Sequence, residues 1–216
     1  MIGIFDSGSG GLTVMRAIRE VMPDADIVYF GDTKHAPYGI RSRSELSKLT
    51  VAGFRTLTEH GATHIVSACN SVSASLALAL LDLSAIPPSS LIEMVGPTVR
   101  SVVSGTYGRV ALVATEATIG SGLYTEAFEM FDRKIVPIAI PALAGAIEAG
   151  GDETTLTAII TEAFSKEVLG TFDTLVLACT HYPLVLPLFE RVLGSSIRII
   201  DPARAVADET AAHFGA

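Results

Sequence analysis

Two segments with the same outline decide the fold: Ile65-Val66-Ser67-Ala68-Cys69-Asn70-Ser71 and Leu175-Val176-Leu177-Ala178-Cys179-Thr180-His181. In each, an apolar run rich in strand formers ends on a Cys, followed by small hydrogen-bonding residues. The two lie 110 residues apart. At the same offset, Ile2-Gly3-Ile4-Phe5-Asp6-Ser7-Gly8 faces Leu112-Val113-Ala114-Thr115-Glu116-Ala117-Thr118. Each half thus reads as strand, polar turn and helix, then strand, Cys turn and helix. This echo predicts two similar lobes facing each other.

Working outward, further apolar runs cover Ile27–Phe30, Leu91–Val95, Ile135–Ile138 and Ile197–Ile200, and all are bounded by Gly, Pro, Asp or Ser. They are continuous rather than alternating, as strands buried on both faces of a parallel sheet read. Helical stretches are predicted between them at Leu12–Met22, Leu46–His60, Val72–Leu83, Thr98–Gly105, Ser121–Phe131 and Thr154–Leu169. The alternation gives an α/β fold of two similar lobes, each a mostly parallel sheet flanked by helices, with the site in the cleft between them. The breaker pair Gly96-Pro97 divides residues 1–95 from residues 96–202. A C-terminal helix over 203–216 is expected to pack back on the first lobe.

The chain has 216 residues, and its 23 acidic and 15 basic side chains leave a net charge of −8. Half the residues are apolar and 18% are charged, which excludes a disordered chain. The 4 Lys and 11 Arg form no run, so a nucleic-acid partner is not expected. The longest apolar stretch, Leu76–Leu83, is interrupted by Asp82 and falls far short of a membrane span. Met1 leads into an apolar run with no basic flank and no cleavage site, so no secretion signal is expected. Two Cys make no disulfide framework, which points to a cytoplasmic protein with reduced thiols. Exposed apolar helix faces would suggest a homodimer.

In open parallel sheets, ligands bind beyond the carboxyl ends of the strands. The residues there are Asp6-Ser7-Gly8-Ser9-Gly10-Gly11, Gly31-Asp32-Thr33, Pro37-Tyr38-Gly39, Cys69-Asn70-Ser71, Thr115-Glu116-Ala117-Thr118 and Cys179-Thr180-His181-Tyr182-Pro183. Two thiols therefore sit at equivalent strand ends, each near a helix start. A helix N-terminus binds carboxylates and lowers a thiol's pKa. Facing lobes would place the thiols on either side of one small anionic ligand. That arrangement suits taking a proton from one face of a carbon and returning one to the other. Other readings stay open on the residues alone. A Cys after a strand can be a small buried hydrophobe. Cys179 with His181 could be a nucleophile dyad, although this leaves Cys69 unexplained. The same pair lacks the ligand count and spacing of a zinc site. Gly8–Gly11 resembles a phosphate cradle but lacks the Lys of a P-loop and the G-x-G-x-x-G spacing. His35, His60, His64 and His213 show no pairing and read as surface or helix-end residues. Asp6 before Ser7 and Gly8 also reads as a turn cap.

The segments Ile2–Val14, Tyr29–Thr33 with Pro37–Gly39, Ala68–Ser71 and Leu177–Leu184 together resemble glutamate racemases, within the aspartate/glutamate racemase superfamily. The Thr115, Thr118, Ser121, Tyr124 pattern and Asp201 fit as well. The resemblance covers nearly the whole chain in order. It implies racemisation without cofactor or metal. Cys69 would take the α-proton of D-glutamate and Cys179 that of L-glutamate. Asp6 would assist Cys69, and His181 with Glu148 would assist Cys179. Ser7, Pro37, Tyr38, Gly39, Asn70, Ser71, Thr118 and Thr180 would hold the substrate. The resemblance also implies a bacterial cytoplasmic enzyme supplying D-glutamate to peptidoglycan. Alternatives are a relative acting on aspartate or another small acid, and a ligand-binding homologue with weak turnover.

The chain departs from the family's pattern in four places. Ser71 stands where Thr is common. Ile140-Pro-Ala-Leu-Ala-Gly-Ala-Ile-Glu148 has smaller side chains than usual, which is expected to enlarge or loosen the site. Lys34-His35-Ala36 is an uncommon lead into Pro37. The chain ends 37 residues after Cys179, short of the family's usual C-terminal portion.

Overall fold

The computed structural model describes residues 1–73, 76, 87–164 and 166–215. Among the described residues, eight strands form two four-stranded sheets. The first has order β2-β1-β3-β4, from β1 (Ile2–Asp6), β2 (Ile27–Gly31), β3 (His64–Ser67) and β4 (Leu91–Glu93). The second has order β6-β5-β7-β8, from β5 (Val110–Ala114), β6 (Ile135–Ala139), β7 (Thr174–Leu177) and β8 (Arg198–Ile200). Every pairing is parallel. The repeated outline is thus the same sheet built twice, with β1 and β3 matching β5 and β7 at the centres.

Both faces of each sheet are covered, which is why the central strands are apolar at successive positions. Ile2 and Ile4 pack into one cluster with Val14, Ile18, Val66 and Val206. Phe5, one residue out of phase, packs on the opposite face with Leu46, Phe54, Leu57 and Ile65. The second sheet repeats the alternation. Val110, Leu112 and Ala114 join Val99, Val102 and Phe128, while Ala111 and Val113 join Leu143, Ile160 and Phe189. Phe5 meets Phe54 edge-on at 5.5 Å between ring centres. Gly53 lets that ring lie flat against its helix, where a Cβ would stand 2.2 Å from Cε2 of Phe5.

The helices depart from the sequence reading at their ends, and Glu116–Gly120, Leu143–Glu148 and Leu186–Leu193 are helices that it does not predict. The second runs over Arg43–Glu59, three residues earlier than predicted, because Ser42 and Glu45 form a reciprocal capping box. The predicted Thr154–Leu169 helix is two helices, Glu153–Ala163 and Lys166–Leu169. Of the predicted Val72–Leu83 helix, Asn70–Ser73 is helical and residues 74–75 and 77–83 lie outside the described residues.

The last helix of each half crosses over. After β4, Glu93 accepts the N–H groups of Val95 and Gly96 at 2.6 Å and starts the helix Val95–Ser104. Gly96-Pro97 therefore sits in a first helical turn, where Pro lacks no needed donor. Val95, Val99 and Val102 pack against the second sheet. After β8, Asp201 accepts the N–H of Ala203 at 2.9 Å and starts the helix Ala203–Phe214. Ala203, Val206 and Ala207 pack against the first sheet. An Arg100–Glu209 ion pair joins the two exchanged helices. No described helix is long and apolar enough to cross a membrane.

Phe54 is fully buried. Phe54→Ala is expected to cost about 3–5 kcal/mol of stability, read as a lower urea midpoint with unchanged slope.

Candidate functional site

The carboxyl ends of both sheets open on one small cavity of about 30 Å³. Both thiols line it, Cys69 following β3 and Cys179 following β7. Ser7, Pro37, Tyr38, Gly39, Asn70, Ser71, Glu148, Thr180 and His181 line it too. Of the residues singled out in the sequence, Asp6 and Thr118 stand behind this wall and reach it through hydrogen bonds. Pro141 and Ala144 also line the cavity, so the smaller side chains before Glu148 do face it. The space holds a water or two.

Asp6 is fully buried at the end of β1. One carboxylate oxygen accepts the N–H of Gly8 at 2.9 Å, which is the turn-capping role read from the sequence. The other accepts the Thr180 hydroxyl from the opposite side at 3.1 Å. The glycine-rich turn that follows is a socket rather than a phosphate cradle. A Cβ on Gly8 would stand 2.8 Å from the Glu148 carboxylate, and one on Gly10 would stand 2.6 Å from Nδ1 of His181. Tyr29 braces the turn from β2 by donating to the Gly8 carbonyl at 2.7 Å.

Around Cys179, a chain of polar contacts runs outward. Its Sγ lies 4.0 Å from Nδ1 of His181, whose Nε2 lies 2.6 Å from Oε2 of Glu148. Cys69 lies 3.5 Å from the Ser7 hydroxyl. Hydroxyls bridge the two sides elsewhere: Ser71 meets Thr115 at 2.9 Å, and Thr115 meets Thr118 at 3.1 Å. Tyr124 donates to Oδ1 of Asn70 at 2.6 Å, leaving the buried Nδ2 of Asn70 without a partner. An unpartnered buried donor on a cavity wall suits an anionic ligand. Thr115, placed by sequence at a strand end and in the resemblance pattern, was not among the residues expected to hold the substrate, yet it lines the cavity. Glu116, the counterpart of Asp6 in the echo, is exposed on the helix Glu116–Gly120 and takes no part. His35 is paired, contrary to the sequence reading, with Nδ1 2.8 Å from Asp32. Asp32 in turn accepts the Tyr38 hydroxyl at 2.7 Å and so steadies the segment carrying Pro37–Gly39.

The thiols are not the acidified groups that a helix start would make. Burial, with the Asp6 carboxylate beside it, pushes Cys69 up to about 11, against weaker help from Ser7 and nearby backbone N–H groups. Burial also drives Cys179 well above the ordinary thiol value. Burial works to raise Glu148 as well, but the Ser9 hydroxyl, the His181 ring and the Ser9 N–H outweigh it and hold the carboxyl below its usual range. Both thiols are therefore protonated near neutrality and need a partner base to ionise. Among the described residues, no group of three or more His, Cys, Asp or Glu side chains could hold a metal ion.

Residues 7–210 match the family described as Asp/Glu/Hydantoin racemase. A glutamate racemase of Koribacter versatilis is 36% identical over 219 aligned residues, which take in 100% of this chain and 75% of that protein. The crystal structure of a glutamate racemase isoform from Bacillus anthracis superposes with a TM-score of 0.87 at 31% identity, covering 98% of this chain and 80% of that one. A glutamate racemase of Francisella tularensis, solved in complex with D-glutamate, gives 0.85 at 28% identity over 98% of this chain and 79% of that one.

Two outcomes follow from the socket and the thiols. Gly10→Ala is expected to cost about 1–3 kcal/mol in chemical denaturation, since His181 and Thr180 must give way. Alkylation of Cys69 by iodoacetamide in a Cys179→Ala variant should be slow at pH 7 and rise as pH approaches 11. The protonated thiol is the form the fold favours. Its stabilising contribution is thus complete below the ordinary thiol value and lost as pH climbs through the raised one.

Proposed function

Because the chain belongs to the Asp/Glu/hydantoin racemase family, we propose that it interconverts L- and D-glutamate through Cys69 and Cys179. The observation that carries this reading is that both sulfurs line one cavity from opposite sheets. From L-glutamate, the Cys179 thiolate takes the α-proton, and the electron pair left on Cα spreads into the carboxylate. The Cys69 thiol then delivers its proton to the opposite face. Cys179 ends as thiol and Cys69 as thiolate, and proton exchange with solvent through the neighbouring bases, or a D-to-L turnover, restores the first state.

The raised thiol pKa values make the neighbouring bases necessary. His181 takes the proton of Cys179, and the Glu148 carboxylate stabilises the resulting imidazolium, as in other carboxylate–histidine pairs. Asp6 serves Cys69. Its charge opposes thiolate formation, so its role is to accept or align the proton. The α-proton of an amino acid is very weakly acidic, and hydrogen-bond donors aimed at the substrate carboxylate lower the barrier. Nδ2 of Asn70, the hydroxyls of Ser7, Ser71, Thr118 and Thr180, and the Pro37–Gly39 segment supply the binding surface. The product D-glutamate feeds peptidoglycan in a bacterial cytoplasm.

Cys69→Ala and Cys179→Ala should each abolish racemisation of glutamate while leaving the thermal unfolding curve in place. Either variant turning over at the parental rate would overturn the two-thiol assignment. Deuterium uptake at Cα across a panel of L- and D-acids identifies the substrate. Exchange into aspartate but not glutamate would replace the proposed substrate. Ligand-induced thermal stabilisation with no exchange would indicate binding without turnover.

A further inference from the structure

We propose that Ser9, on the turn after β1, is a positioning residue that holds Glu148 and His181 in line with Cys179. The proposal rests on the racemase reading above and deepens it: one side of the cavity completes the acid–base apparatus of the other side's thiol.

Ser9 touches neither thiol. Its backbone N–H donates to Oε1 and Oε2 of Glu148 at 3.1 and 3.2 Å, and its hydroxyl donates to Oε2 at 2.8 Å. The same Oε2 faces Nε2 of His181 at 2.6 Å. A carboxylate at that distance places the ring proton on Nε2. Nδ1 then carries the lone pair, directed toward Sγ of Cys179. Glu148 needs this help. It is the last residue of the short helix Leu143–Glu148, where the helix end disfavours an anion, and its side chain is 23% exposed. Among the described residues, no basic side chain pairs with it apart from His181. Gly8 and Gly10 on either side of Ser9 permit the approach, since a Cβ at either would meet Glu148 or His181. The other ionisable groups facing this relay are Asp6, Cys69 and the phenols of Tyr29, Tyr124 and Tyr182. All three phenols are pushed up by burial and stay neutral.

The test compares Ser9→Ala, Ser9→Thr, Glu148→Gln and the double variant Ser9→Ala/Glu148→Gln. Ser9 is exposed, so these chains should fold, and thermal unfolding checks that they do. Ser9→Ala should lower kcat for glutamate about tenfold, the loss of one hydrogen bond to a charged group, with KM changed less than about twofold. Removing a donor lets the Glu148 carboxyl rise toward its ordinary value. The acid limb of kcat/KM should therefore move to higher pH. Ser9→Thr should recover most of the loss, and Ser9→Ala should add nothing in the Glu148→Gln background. Unchanged kcat and acid limb, or losses that multiply in the double variant, would overturn the proposal. If the parent protein does not racemise glutamate, the substrate reading fails by itself. The latch is then judged by iodoacetamide alkylation of Cys179 in Cys69→Ala at pH 7. Ser9→Ala should slow that reaction severalfold, and an unchanged rate would overturn the latch.

Discussion

Close approach between the turn after β1 and the far side of the cavity is the constraint on which the rest depends. Four groups, Asp6, Thr180, His181 and Glu148, must converge on a few ångströms, and backbone without side chains is what makes room. Gly8 faces a carboxylate and Gly10 faces an imidazole. Gly31, at the end of β2, lies so near the Gly8 carbonyl that a Cβ there would stand 2.3 Å from its oxygen. The turn is thus pressed from two directions. Its shape follows from steric room at these positions, and the Asp6 carboxylate locks it through the Gly8 N–H.

That convergence sets the electrostatics. Enclosing sulfur in a nearly dry space disfavours the thiolate, and the buried Asp6 adds to the effect at Cys69. Enclosure alone would do the same to Glu148, yet its donors reverse the direction. The site therefore holds neutral sulfur beside a charged carboxylate, with an imidazole between them on the Cys179 side. Burial sets the direction at the two thiols, and hydrogen bonding reverses it at Glu148.

Much of this was legible in the amino-acid order. Continuous apolar runs marked strands covered on both faces, and the paired Cys turns marked two sheet ends of one kind. Helix boundaries were less visible, because they are set by single contacts. Ser42 with Glu45 moved one start by three residues, and Glu93 turned a predicted strand end into a helix cap. The glycine-rich turn looked like a phosphate cradle because sequence shows that side chains are absent and not what fills the space. Thr115 was placed at a strand end but given no substrate role, because its link to Ser71 comes from the Cys turn of the other sheet. His35 looked solitary because its bond to Asp32 depends on how the loop folds back.

The exchange of terminal helices has a consequence for how the chain is made. As synthesis proceeds, the first sheet emerges early, but one of its faces is completed by Ala203, Val206 and Ala207, a segment made much later. Until then, apolar surface around Ile2, Ile4 and Ile18 has no cover from that helix. The nascent half must wait, loosely packed and prone to stick to other chains, for a partner segment about 200 residues downstream. Closure of the earliest core is thereby tied to the arrival of that late helix.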